Sequence, residues 1–257
     1  MKMNKRILAL FVLSSAFLIT ACKDDTIDPI PGGGNAVTCQ LLETKTDDGS
    51  TSTYTWDGDK LVKLTEKDSF GTWNVTFIYA NDMLSEIVDG DVVSKITNSN
   101  GNVSKIEVFD NGDLWEVYDI TYANGKLDAV NHFDVDMGTN ILYETYKFTW
   151  TGDNVTKIVN NYDDDGDGTL DTEVTTSLTS FDDKINPYYG MPIVWLDLDN
   201  LFSFSKNNMT SGTYGTDQGV IALTNSIEYN EHKYPTKVDS DLTFFGKTVT
   251  TFTYDCK

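Results

Sequence analysis

Short runs in which apolar and polar residues alternate, broken by Gly, Asn and Asp, fill the chain from Val37 to Tyr254. Alternation at every second residue marks a strand with one face buried and one face wet. Six stretches repeat one form: YTWDGDKLVKL from Tyr54, FIYANDMLSEI from Phe77, ITNSNGNVSKI from Ile96, ITYANGKLDAV from Ile120, FTWTGDNVTKI from Phe148 and a looser IEYNEHKYPTKV from Ile227. Each runs apolar, x, usually Trp or Tyr, then a turn, then apolar, x, x, apolar. Asn-Gly or Gly-Asp between two alternating runs accepts positive φ and predicts one β-hairpin per copy. The first five copies start 19 to 28 residues apart, which leaves two strands per copy and a meander of consecutive antiparallel hairpins. The expectation is an all-β fold of roughly 12 to 15 strands, at the strand length typical of sheets.

A sheet with one apolar face must bury it, either by curling into a barrel or by folding into two packed layers. A regular barrel of more than about eight strands encloses more space than its own side chains fill. Something must flatten or plug it, and the stretch that breaks the repeat is NPYYGMPIVWLDLDNLFSFSKNN, Asn186 to Asn208. Apolar positions three to four apart from Ile193 to Phe202 predict an irregular or short helical insert near 186–208. Two roles fit it: core filler, or a ligand surface on which Tyr188, Tyr189 and Trp195 offer aromatic faces to a sugar or an apolar partner.

The ITYANGKL type of corner resembles the YD repeats of Rhs-type proteins. The whole set of corners, with FDDKINPYYG (181 to 190), FSKNNMT (204 to 210) and YNEHKYPTKV (229 to 238), is similar to a family of Bacteroidota lipoproteins of unknown function. That resemblance spans nearly all of residues 37–257 and rests on turns and strand aromatics. It implies a porin-like or flattened barrel and no mechanism.

The first 21 residues read as a signal peptide: Lys2, Lys5 and Arg6, then an apolar run from Ile7 to Ile19 too short for a comfortable membrane span. LITAC resembles a bacterial lipobox, which implies that Cys22 is acylated and becomes the first residue of the mature chain. CKDD resembles the export signal of Bacteroidota surface lipoproteins, which implies an outer-membrane lipoprotein at the cell surface, the alternative being the periplasmic face. Residues 22–36, with two prolines and three glycines in TIDPIPGGGNA, form a flexible tether, and residues 37–257 form a single β domain. Cys39 and Cys256 stand just inside the two ends of that domain. In an oxidising compartment they are either a staple between the first and last strands or two separate thiols.

Charge narrows the partners. With 40 acidic and 19 basic residues the net charge is -21, which repels a phosphate backbone and argues against nucleic acid. Polar Thr, Ser, Lys and Glu on the second strand face leave no apolar band for lipid. The sequence carries no zinc-binding His pattern, nucleophile elbow or phosphate-binding Gly loop. His132 and His232, each near a turn, read as solvated turn residues. One stretch invites a metal: in YDDDGDGTLD, Asp163, Asp165, Asp167, Thr169 and Asp171 fall at positions 1, 3, 5, 7 and 9 of a calcium loop, with Gly168 at the sharp turn. Position 12 is Val174 instead of a bidentate acid, and the flanks read as strands, so the alternatives are a calcium site completed from elsewhere and a solvated acidic hairpin loop. The resulting expectation is a lipid-anchored, non-enzymatic envelope module that binds a glycan or a protein or serves as structure. The alternative is a polysaccharide hydrolase or lyase using Asp or Glu.

Overall fold

The computed structural model describes residues 38–195, 203–216, 219–243 and 245–257. The signal segment, Cys22 and the tether lie outside the described residues. Sixteen strands follow one another around a closed barrel: β1 (Cys39–Thr46), β2 (Thr51–Asp57), β3 (Lys60–Lys67), β4 (Thr72–Ala80), β5 (Met83–Asp89), β6 (Val92–Ser99), β7 (Asn102–Asp110), β8 (Asp113–Ala123), β9 (Lys126–Asp136), β10 (Thr139–Thr151), β11 (Asn154–Tyr162), β12 (Thr172–Ile185), β13 (Asn207–Thr216), β14 (Gly219–Tyr229), β15 (Pro235–Leu242) and β16 (Gly246–Cys256). Each strand pairs antiparallel with its sequence neighbours, and β1 pairs with β16 to close the ring. The expected meander is present, but with sixteen strands instead of 12 to 15, and the choice between barrel and two layers falls to the barrel. The sequence undercounts in part because β13, NNMTSGTYGT, is built on Thr, Asn, Ser and Gly and shows little alternation.

The repeat has a mechanical reading. In an ordinary strand, residues three apart face opposite sides. Yet Leu61 with Leu64, Leu84 with Ile87, Val103 with Ile106, Leu127 with Val130 and Val155 with Ile158 are all buried. The ladder shows why: in each hairpin the register slips by one residue just after the turn, at Thr55/Trp56, Ile78/Tyr79, Thr97/Asn98, Thr121/Tyr122 and Thr149/Trp150. One extra residue in the returning strand makes a β-bulge, and the bulge turns both apolar residues toward the lumen. Turn residues such as Asn124 and Gly125, at φ of 54° and 74°, supply the positive φ that the two-residue corner demands.

Because strands alternate in direction, the barrel has two different rims. The repeat turns, both ends of the domain and the insert between β12 and β13 lie on one rim, the near rim. The turns around 47–50, 68–71, 90–91, 111–112 and 137–138 and the Asp-rich loop lie on the opposite, far rim. Cys39 and Cys256 are direct register partners at the near rim and are joined by a disulfide.

The insert fills the near half of the lumen. Its described residues, 186–195 and 203–206, include a 3-10 turn at Pro192–Trp195, and the rest of the helix expected over Ile193 to Phe202 lies outside the described residues. Tyr188 packs edge-on against Tyr54 of β2 and Phe252 of β16 at 6.2 and 6.1 Å, while Phe204 meets Phe148 of β10 at 5.8 Å and Trp195 at 5.5 Å. Walls that sixteen strands hold apart are thus bridged by aromatic rings into one apolar cluster. Asn186 locks the insert in place, donating from Nδ2 to the Ser205 carbonyl at 3.1 Å, and Ser205 Oγ accepts from the Val155 amide at 3.0 Å. Along β2 to β4 the outer wall presents Thr53, Thr55, Lys63, Thr65, Asn74 and Thr76, of which Thr65 and Asn74 are joined side chain to side chain at 3.0 Å, whereas across β6 to β10 Val93 faces Phe109, and Val117, Phe133 and Leu142 stand in register on the same outward side.

Candidate functional site

Beyond the apolar half, the lumen turns polar toward the far rim. A cavity of about 210 Å³ lies between β5 to β8 and Trp195, with Asp89, Ser94, Ile106, Glu116 and Tyr118 among the residues that line it. Deeper still in sequence terms, β8, β9 and β10 each contribute inward side chains that meet: Glu116 and Tyr118, His132 and Asp134, and Glu144. Register explains the meeting, because Tyr118 pairs with His132, Glu116 with Asp134, and His132 with Glu144.

His132 is the centre of this group. It is 8% exposed and lies in mid-strand, which corrects its reading as a solvated turn residue; His232 does sit in a turn and is half-buried. The imidazole stacks on Tyr118 at 4.3 Å and 13° and takes the edge of Tyr143 at 5.5 Å. Three carboxylates surround it: Glu116 Oε2 at 3.9 Å and Asp134 Oδ1 at 3.7 Å from Nε2, and Glu144 Oε2 at 3.7 Å from Nδ1. Each flank is braced. The Tyr118 hydroxyl donates to Glu116 Oε2 at 2.9 Å, and Asn160 Nδ2 donates to Glu144 Oε1 at 2.6 Å. A bulge between Leu142 and Glu144 re-aims β10 so that Glu144 faces the ring. Burial pushes the Asp134 carboxyl above its ordinary value, His132 works against that rise, and Glu144 adds to it.

Other acids share this half of the lumen. Glu66 accepts from Ser52 Oγ at 3.3 Å. Burial raises its carboxyl, the Ser52 hydrogen bond opposes the rise, and Asp89 and Asp68 reinforce it.

The Asp-rich loop is built differently. Asp163, 4% exposed, accepts backbone amides at both oxygens: Gly166 at 2.7 Å and Asp167 at 3.3 Å on Oδ1, Gly168 at 2.6 Å on Oδ2. Burial would raise this carboxyl, but the Gly168, Gly166 and Asp167 amides hold it below its ordinary value. The chain therefore closes the loop with its own backbone. Asp163, Asp165 and Asp167 each bring an oxygen within 4.8 Å of the others, whereas Asp171 groups with Asp164 and Asp165. For Asp165 the Asp167 amide pulls the carboxyl down, but the charges of Asp167, Asp171 and Asp163, with desolvation, leave it raised.

Of the three aromatic residues expected at a ligand surface, Tyr188 is core at 3% exposure and Tyr189 is half-buried in the insert; Trp195 alone lines the cavity. Sequence reasoning missed Glu116, His132, Asp134 and Glu144. The signal for them was alternation itself, EVY in β8 and HFD in β9, once the bulge beside Asn124-Gly125 is counted.

No protein-family model matches the chain, and no curated protein sequence does. Among solved structures the chain is similar to the crystal structure of a porin-like protein from Bacteroides uniformis ATCC 8492, with a TM-score of 0.57 and 12% identity over 84% of this chain and 96% of that one. At that identity the likeness is one of fold. The porin-like barrel implied by the corner motifs is the fold the chain has.

Proposed function

We propose that the chain is a lipid-anchored envelope protein whose plugged barrel acts as a non-enzymatic binding module, with its acidic mouth turned away from the membrane that holds it. The observation that carries this reading is the separation of the two rims. Cys39 leaves the near rim, where the insert fills the lumen, so a tether running back to an acylated Cys22 would hold that end toward the lipid. The polar cavity then faces outward. A membrane-spanning barrel needs a continuous apolar band about 25 Å tall, and the Thr- and Lys-bearing outer wall of β2 to β4 supports a barrel that stands off the bilayer.

The cavity suits a small polar ligand. Its volume of about 210 Å³ is below the roughly 300–1,000 Å³ of pockets for drug-sized molecules, and Tyr118 and Trp195 beside Asp89 and Glu116 give one sugar unit aromatic faces and hydrogen-bond acceptors. Hydrolysis is less well supported. Glu116 and Asp134 bring oxygens within 4.8 Å of each other with His132 between them, closer than the about 5–5.5 Å of retaining and about 6.5–9.5 Å of inverting glycosidase pairs.

The test has two arms. Wild type should fractionate with membranes and Cys22→Ser should be soluble; a Cys22→Ser chain still in the membrane overturns the anchor. Binding to a glycan array, with and without EDTA, should be lost in Glu116→Gln. An array blank in both conditions overturns the sugar reading.

A further inference from the structure

The geometry points to a divalent transition-metal site formed by His132 Nε2, Glu116 Oε2 and Asp134 Oδ1 in the mouth of the barrel. The His132 side chain is nine-tenths buried, at 10% exposure, and its Nε2 has no hydrogen-bond partner. A buried polar atom left unpaired is costly, so its environment calls for explanation. Nε2 is aimed between two carboxylates at 3.9 and 3.7 Å, too far for hydrogen bonds. Zinc bond lengths of about 2.0–2.2 Å put neighbouring donors about 3 to 3.5 Å apart. Small rotations of Glu116 and Asp134, whose side chains are 25% and 50% exposed, close that difference.

Charge points the same way. Glu116 and Asp134 are direct register partners, and like charges opposite one another across two strands destabilise a sheet. Glu144 adds a third carboxylate on the far side of the ring. Even a protonated imidazole leaves this group net negative, whereas a dication between Glu116 and Asp134 removes the repulsion. Glu144, held by Asn160, takes the role of the outer carboxylate: Nδ1–H turned toward it leaves the Nε2 lone pair for the ion. One imidazole nitrogen and two carboxylate oxygens suit zinc and its first-row neighbours. Three protein donors leave a position open beside the cavity that Glu116 and Tyr118 line. The site needs neither the lipid anchor nor a glycan.

The test is a titration of the EDTA-stripped chain with Zn²⁺ by calorimetry and with Co²⁺ by visible absorption. One ion per chain is expected, with cobalt bands of a nitrogen-and-oxygen site and a zinc-induced shift of the His132 Nε2 resonance in ¹⁵N NMR. His132→Ala should abolish binding, Asp134→Asn should weaken it at least tenfold, and Glu144→Gln should weaken it about 10- to 100-fold. The loop variant Asp165→Asn with Asp167→Asn should bind as wild type. Should His132→Ala fail to fold, Asp134→Asn decides, because its side chain is half exposed. A wild-type chain that takes up no ion, an Asp134→Asn variant that binds like wild type, or loss of binding in the loop variant each overturns the assignment.

Discussion

The indole Nε1 of Trp150 donates to the carbonyl of Leu127 across 2.7 Å. Leu127 stands at a bulge, where the strand ladder is interrupted, and Trp150 belongs to the hairpin that follows. The same relation joins Trp56 to Leu41 at 2.7 Å, Tyr79 to Leu61 at 2.9 Å and Asn98 to Leu84 at 2.7 Å. Each bulge turns two apolar residues inward, and in these four cases the third repeat residue of the following hairpin supplies a donor at the break. In the looser copy the third residue, Tyr229, donates to the Asp182 carboxylate instead.

Removing the donor tests this, most cleanly in Tyr79→Phe, which keeps the ring, whereas Trp150→Phe also shrinks it. Trp150→Phe and Tyr79→Phe should each destabilise the barrel by about 1–3 kcal/mol, the cost of leaving a part-buried carbonyl unpaired. Denaturant midpoints check it, and unchanged midpoints would mean that water serves these carbonyls equally well.

The plug should be worth more than any wall residue of its size. Phe204→Ala or Tyr188→Ala empties buried space where the insert packs on the barrel wall and should cost about 3–5 kcal/mol. Phe70→Ala, at a position 84% exposed on the far rim, should change stability by less than about 0.5 kcal/mol. Chemical denaturation of the three variants side by side is the measurement.

Reduction should open the seam. The Cys39–Cys256 disulfide links residues 217 apart in sequence, and the chain-entropy model assigns such a closure about 5 kcal/mol at most. A Cys39→Ser, Cys256→Ser chain should therefore melt lower than wild type under oxidising conditions and identically to wild type under reductant.

Two acids should respond to pH in opposite senses. Glu66 is raised above its ordinary 4.5 by burial, so its contribution to stability is present when protonated and is lost as pH rises through its folded value. Glu66→Gln should melt higher than wild type at pH 7, with the gap closing below pH 4.5. Asp163 is lowered below 3.8 because backbone amides favour its charged form; its contribution is present above 3.8 and is lost as pH falls through its folded value. Asp163→Asn should melt lower than wild type at pH 7 and approach it in acid. Thermal melts across pH 2 to 8, a window chosen to bracket carboxylate titration at about 4, read both.

Local rules carried the sequence a long way. Alternation, Asn-Gly and Gly-Asp corners and the eleven-residue repeat determined an all-β meander, and the break at Asn186 to Asn208 marked the plug, because strand period and turn chemistry are properties of neighbouring residues. Tertiary structure decided the rest. Folding the hairpin about Asn124-Gly125 without a bulge pairs His132 with Val117 and faces it outward; the single extra residue at Asp128 pairs it with Tyr118 and turns it into the lumen. A one-residue slip reverses every side chain beyond it, so a buried histidine among three carboxylates stayed hidden in a sequence that places His132 near a turn. Closure of the ring, the unlike rims and the meeting of Glu116, His132, Asp134 and Glu144 depend on register between strands, and register is set by bulges and packing rather than by any one stretch of residues.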